Sequence, residues 1–293
     1  MLCAVFTAAA AADSAAPLKK ESFDRDPGWE GVNNHIVPAK VRTITQAFGY
    51  SPKTSFAGGQ PGEIGGRVTR TPELAYYGAK LPPRTLDDKL SASGTFTFTE
   101  TGGGAGVFVG FFNDQQPATA RPTNSLGMNF DCESNGARLA VRLITAQNQS
   151  CGEFVTHFIP GKDRPTPLRK GAHYKWTLNY DPAANGGNGR FEYTLAGFDP
   201  SDPIKSPIVV DLPPGFKKQG TTFTRFGIMN MRKAGGSLSL YFDDMKVGDQ
   251  AWDFATDPQW DGSGNNTSFA EHEPSGAHNF GYSPTNFAGG SAG

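Results

Sequence analysis

Four blocks of this sequence occur twice and in the same order. Phe23-Asp24-Arg25-Asp26-Pro27-Gly28-Trp29-Glu30-Gly31 returns as Phe254-Ala255-Thr256-Asp257-Pro258-Gln259-Trp260-Asp261-Gly262, and Asn33-Asn34 returns as Asn265-Asn266. Phe48-Gly49-Tyr50-Ser51-Pro52 returns as Phe280-Gly281-Tyr282-Ser283-Pro284, and Phe56-Ala57-Gly58-Gly59 as Phe287-Ala288-Gly289-Gly290. Trp29 and Trp260 stand 231 positions apart, which is a domain length and not the period of about 20–50 residues of a solenoid. The repeat sets the expected organisation. Residues 1–20 are a leader and linker, 21–250 one domain, and 251–293 the start of a second copy, which either opens a further tandem domain or packs on the first.

Between the repeated blocks the apolar residues follow strand periods. Thr95-Phe96-Thr97-Phe98-Thr99 alternates strictly, and Trp176-Thr177-Leu178-Asn179-Tyr180 does the same, as half-buried strands require. Val107 to Phe112 is a continuous apolar run, the pattern of a strand covered on both faces. Further strands are expected at Phe154–Ile159, Phe191–Leu195, Ile208–Leu212, Phe226–Met231 and Leu238–Val247. Ala137–Ile144 fits a strand, but Arg138 and Arg142 would also align on a helix. Turn residues separate the runs, as in Ser134-Asn135-Gly136, Ala184-Asn185-Gly186-Gly187-Asn188-Gly189 and Lys233-Ala234-Gly235-Gly236. About ten strands with no long amphipathic helix mean an all-β sandwich or barrel.

The net charge of −1 offers no field for nucleic acid or an anionic membrane, and the basic residues are scattered without aromatic interleaving. No apolar run approaches the roughly 20 residues of a membrane-spanning helix. Met-Leu-Cys-Ala-Val-Phe-Thr followed by alanines resembles the apolar and cleavage regions of a signal peptide with a cut near Ala12, though without a basic n-region. The expected location is therefore secreted, periplasmic or cell-surface. Cys3 falls inside the leader. In an exported protein the remaining pair, Cys132 and Cys151, suggests a disulfide, with two buried free thiols as the alternative.

Two short stretches carry a family resemblance. Ser22-Phe23-Asp24 through Trp29 is similar to the opening strand of many secreted jelly-roll domains, and Leu240-Tyr241-Phe242-Asp243-Asp244-Met245-Lys246-Val247 to their closing strand. Together with the strand series they resemble the concanavalin A-like, laminin-G-like group of lectins, carbohydrate-binding modules and glucanases. The resemblance implies a two-sheet antiparallel jelly-roll sandwich in which the first and last strands pair. It also implies a structural calcium near those strands, for which Asp24, Asp26, Asp243 and Asp244 are the available carboxylates. It fixes fold more than function, because that sandwich hosts binding and catalysis alike.

The repeated block suits a sugar: Trp29 and Tyr50 offer flat apolar faces, Asn33 and Asn34 amide donors and acceptors. Trp29 equally fits a plug at one end of the core. Arg67, Arg70 and Tyr76 follow Glu63 closely, a grouping fit for an acidic sugar. Glu63, flanked by glycines, suits either acid/base work or a bulge. Arg138, Arg142, Gln147, His157, His173 and Tyr174 could supply a set of the kind jelly-roll polysaccharide lyases use, although His157 alternates with Val155 and Ile159 as a sheet histidine would. Paired-carboxylate, nucleophile-elbow, phosphate-loop and zinc templates are absent from the sequence. A glycan-recognition domain in a tandem protein is the leading expectation. A polysaccharide hydrolase or lyase and a structural or adhesive repeat are the alternatives.

Overall fold

A computed structural model describes residues 20–32, 34–36, 42–115, 121–133, 136–197, 203–271 and 278–289. They belong to two compact units, one within Met1–Lys40 and His272–Gly293 and the other Val41–Glu271. The strands in chain order are β1 (His35–Ile36), β2 (Arg42–Ser51), β3 (Glu63–Thr69), β4 (Tyr76–Thr85), β5 (Leu90–Thr101) and β6 (Gly106–Phe112). Then come β7 (Ser125–Glu133), β8 (Gly136–Ile144), β9 (Ser150–Phe154), β10 (Tyr174–Asp181), β11 (Arg190–Gly197) and β12 (Ile208–Asp211). The last are β13 (Thr222–Asn230), β14 (Ser237–Val247), β15 (Gln250–Trp252), β16 (Asp261–Ser263), β17 (Asn266–Glu271) and β18 (His278–Asn279).

Val41–Glu271 is an all-β sandwich. Its larger sheet has the order β12-β11-β10-β5-β14-β3-β2-β17, with β15 added to β14; its smaller sheet has the order β16-β4-β13-β6-β7-β8-β9. Every pairing is antiparallel. The strand alternation read in the sequence is the alternation of burial. Tyr174, Trp176, Leu178 and Tyr180 are buried along β10 while Lys175, Asn179 and Asp181 are exposed. Between the sheets Phe96 stacks on Tyr174 at 5.2 Å and meets Phe130 edge-on at 5.3 Å, and Trp176 stacks between Tyr193 and Phe226. Each large apolar side chain fully withdrawn from water contributes about 1.5–3 kcal/mol, so this aromatic layer is a substantial part of what holds the two sheets together.

Strand β6 is buried on both faces, as its unbroken apolar run requires. Val107, Val109 and Phe111 enter the main core, while Phe108 and Phe112 form a second cluster with Met229. Ala137–Ile144 is a strand, β8, and residues four apart on a strand also share a face. Arg138 and Arg142 therefore both lie away from the core.

Two expectations are corrected here. Phe23 lies in no strand: it stands just before a bend, with φ 58°, in the smaller unit. The closing strand β14 pairs instead with β3, β5 and β15. Cys132 and Cys151 are free thiols. Cys132 pairs with Ala137 at one end of β8, and Cys151 with Leu143 near the other. At about 3.3 Å per residue those ends are roughly 20 Å apart, well beyond the Cα separation of about 7 Å that a disulfide tolerates. Burial pushes both thiols up to about 12, which leaves them inert.

Candidate functional site

The outer face of the smaller sheet is the most differentiated surface of the sandwich. Alternation turns Tyr77, Val109, Met128, Val141 and Ile228 inward, so their neighbours face out. The register then aligns one row across six strands: Gly78, Gly227, Gly110, Gly127, Arg142 and Gly152, with Asp261 of β16 opposite Gly78. Four adjacent strands thus carry glycine at the same level, and all four glycines are buried. A Cβ on Gly227 would fall 2.2 Å from the Tyr77 carbonyl oxygen, and one on Gly127 2.3 Å from that of Val109. The Phe108 ring leans over the row, its Cζ 3.1 Å from where a Cβ of Gly110 or Gly127 would stand.

Charge is distributed along this face in three groups. Near β16, Arg225 donates to Asp114 at 2.9 Å and to Asp261 at 2.6 Å, and its guanidinium lies 5.0 Å from the Tyr76 ring centroid. At the β7–β8 end, Arg70 donates to Asp131 at 3.0 Å and to the Gly104 carbonyl, and Arg138 pairs with Glu133. Between them Arg142 lies 5.4 Å over the Phe154 ring. Among the described residues no carboxylate or carbonyl accepts a hydrogen bond from its guanidinium. Burial, followed by the nearby positive charge of Arg121, pulls the Arg142 pKa down. Asn129 stands diagonally across from Arg142 on β7, and its buried Nδ2 has no hydrogen-bond partner. A buried donor without an acceptor costs about 1–3 kcal/mol and calls for an explanation.

Of the residues singled out from the sequence, this face brings together Arg70 and Tyr76, with Arg138 and Arg142 beside them. The others lie elsewhere. Arg67 is on β3 of the larger sheet, 3.8 Å from Glu100, and Tyr50 packs against the core. Glu63 is fully buried, and its carboxylate accepts the backbone N–H groups of Phe56 (3.0 Å) and Ala57 (2.8 Å). It fastens a loop. Tyr174 is a core residue whose hydroxyl accepts the Arg169 N–H at 2.9 Å. His157 is exposed on a connection, not in a sheet, and His173 is half-buried just before β10. Asn33 lies outside the described residues. The glycine row and Asn129 were missed, although each glycine stands at the centre of an apolar strand, as in Val109-Gly110-Phe111 and Phe226-Gly227-Ile228.

The four carboxylates expected to hold calcium do not form a ligand set. Asp24 and Asp26 belong to the smaller unit, Asp243 and Asp244 to the sandwich, and among the described residues no three acidic, His or Cys side chains are grouped to hold a metal. Asp24 instead accepts the Ser22 hydroxyl, and Asp26 the Gly28 N–H. Asp243 is buried against Gly58, where a Cβ would fall 1.7 Å from its Oδ2. Burial pushes its pKa up to about 6; the Asp244 N–H opposes this, and the charges of Asp244, Glu63 and Asp253 add to it. Between pH 4 and 6 the folded chain holds a proton that the unfolded chain has lost. Stability therefore rises as pH falls through that window and is lowest above it. Asp243→Asn keeps the acceptor for the Asp244 N–H and removes the charge. It is expected to stabilise the chain by up to about 3 kcal/mol at pH 8 and by nothing near pH 4. Thermal melts of both proteins across that range check this, and a gain independent of pH would refute it.

In the smaller unit Trp29 is 67% exposed and touches Phe23 edge-on at 5.3 Å, so it plugs no core. With Asn34, Phe280 and Tyr282 these two line a cleft of about 510 Å³. The Asn34 amide donates to the Phe280 carbonyl at 2.8 Å.

No family model matches the chain, and no curated protein matches its sequence. Solved structures do resemble it at low identity. An alginate lyase from Pseudomonas aeruginosa is 11% identical over 56% of this chain and 66% of its own, with a TM-score of 0.35. The chain thus spans just under two thirds of that structure. The carbohydrate recognition domain of Emp47p is 15% identical over 73% of this chain and 90% of its own, at a TM-score of 0.36. A family 7 polysaccharide lyase, alginate lyase A1-II', is 11% identical over 76% and 86%, at 0.33. No residue's role is carried over from them. The two antiparallel sheets of Val41–Glu271 make it an all-β sandwich, as the strand periods of the sequence led one to expect.

Proposed function

We propose that this chain is an exported, non-catalytic glycan-recognition sandwich that takes an acidic polysaccharide on the outer face of its smaller sheet. One observation carries the reading: the buried Asn129 amide and the Arg142 guanidinium are neighbouring donors that lack acceptors among the described residues. A carboxylate with its flanking hydroxyls supplies acceptors to both. Tyr76 and Phe154, both partly exposed, offer rings to its C–H faces. Catalysis has less support, because Glu63 is sealed under a loop and Tyr174 lies in the core.

Calorimetric titration of the full chain with a polyuronate and with a neutral glucan tests this. Binding is expected for the polyuronate and should weaken with salt, as exposed charge interactions do. Arg142→Ala should lower the affinity by roughly tenfold or more, the equivalent of about 1.4 kcal/mol, with little change in melting temperature. Binding that ignores both Arg142→Ala and Asn129→Ala, or no glycan binding at all, would sink the assignment.

A further inference from the structure

The two repeated blocks adopt one local structure but meet different neighbours. In the sandwich, β17 pairs with β2 so that Asn266 faces Ala47 and Thr267 faces Gln46. In the smaller unit β1 pairs with β18 so that His35 faces Asn279 and Ile36 faces His278. These are equivalent positions of the repeat, in the same register. The Phe48 N–H donates to the Asn265 carbonyl at 3.0 Å, and the Phe280 N–H donates to that of Asn34 at 3.1 Å. The Asn265 side chain donates to the Phe48 carbonyl at 2.6 Å, as Asn34 does to Phe280 at 2.8 Å. Asp257 and Asp26 each accept the N–H two residues on, both at 2.8 Å. Structure thus aligns Asn34 with Asn265, one residue from the pairing that the bare sequence suggests.

What differs is the cover. In the sandwich Trp260 is 8% exposed against Tyr77, Trp252 and Phe254, and Phe48 is buried. Their equivalents Trp29 and Phe280 are 67% and 64% exposed. Phe56 lies on Tyr241 at 4.6 Å, while its equivalent Phe287 is 95% exposed. A two-residue ladder does not hold such a surface in water by itself. Among the described residues, nothing covers Trp29 and Phe287 as β4 and β14 cover their counterparts Trp260 and Phe56 in the sandwich.

We infer that residues 20–32 and 34–36 close the sandwich of a second copy of this chain, where they take the places that their equivalents within 251–267 hold in their own. The segment is equipped for it. Gly28 stands where Gln259 is held at φ 54°, a conformation that glycine adopts without strain. Glu30 stands where Asp261 meets Arg225, so the exchanged segment offers that arginine a carboxylate as well. Exchange of an identical element between protomers is a low-cost route to association.

The test mixes two full-length chains of different tag, one carrying His35→Cys and the other Ala47→Cys, both exposed positions. Residue 35 faces residue 47 only when the segment of one chain closes the sandwich of the other. The expected product on mild oxidation is a 35–47 disulfide joining the two tags, identified by peptide mass spectrometry. Its yield should rise with concentration, and by roughly tenfold or more when Trp260→Ala loosens the resident segment of the Ala47→Cys chain. Trp29→Ala in the other chain should abolish it. If Trp260→Ala prevents folding, the intact background decides through concentration dependence and the Trp29→Ala control. No 35–47 link at any concentration overturns the inference, as does a link that survives Trp29→Ala.

Discussion

Replacing Trp260 with alanine is expected to lower the unfolding free energy of the sandwich by about 3–5 kcal/mol, whereas Trp29→Ala changes it by less than about 0.5 kcal/mol. The two tryptophans occupy the same place in the same motif, so propensity and local sequence predict equal effects. Only the neighbours differ. Trp260 fills the space between Tyr77, Trp252 and Phe254, and its removal leaves a cavity lined by rings that are fixed in the sheets. Trp29 meets Phe23 and solvent. Urea unfolding followed by circular dichroism separates the cases at low micromolar concentration, where association contributes least. Equal losses for the two variants would mean that Trp29 is buried in the isolated chain, contrary to the packing described.

The strands were legible because their side-chain period is a local property. Phe96 and Phe98, or Trp176 and Leu178, announce which face is buried without reference to any partner. The repeat was legible for the same reason. The glycine row was not, because it is a property of register: Gly78, Gly227, Gly110 and Gly127 come from four strands, and no spacing in the sequence shows that they align. Cys132 and Cys151 misled in a related way. They flank a single strand, which in sequence looks like proximity, yet pairing through β8 sets them at its opposite ends. Phe23 was misplaced because the sandwich takes its closing block from the second copy of the repeat, and a motif cannot say which copy is used. Arg70 and Tyr76 could be singled out from residue type alone, whereas Asn129 became visible only once its missing acceptor could be seen.

Glu63 is the residue on which a catalytic and a structural reading diverge furthest. Glu63→Ala is expected to destabilise the sandwich by about 3–5 kcal/mol, since each buried N–H left without a partner costs about 1–3 kcal/mol and bonds to a charged acceptor are the stronger ones. Its two oxygens hold the Phe56 and Ala57 amides, and Ala57 is 3% exposed. The same loop rests Phe56 on Tyr241 and accepts the Thr95 hydroxyl at the Ala57 carbonyl, 3.0 Å away. Releasing the carboxylate therefore loosens the loop as a unit. Glu63→Gln keeps the volume and one acceptor, and should cost only about 1–2 kcal/mol. Because the loop lies against the larger sheet, glycan affinity of the folded Glu63→Gln protein should equal that of the wild type. Urea unfolding and polyuronate titration on the two variants give both numbers. A Glu63→Gln protein of full stability that had lost binding, or had lost a polysaccharide-cleaving activity present in the wild type, would return Glu63 to the chemistry and move the site to the other sheet.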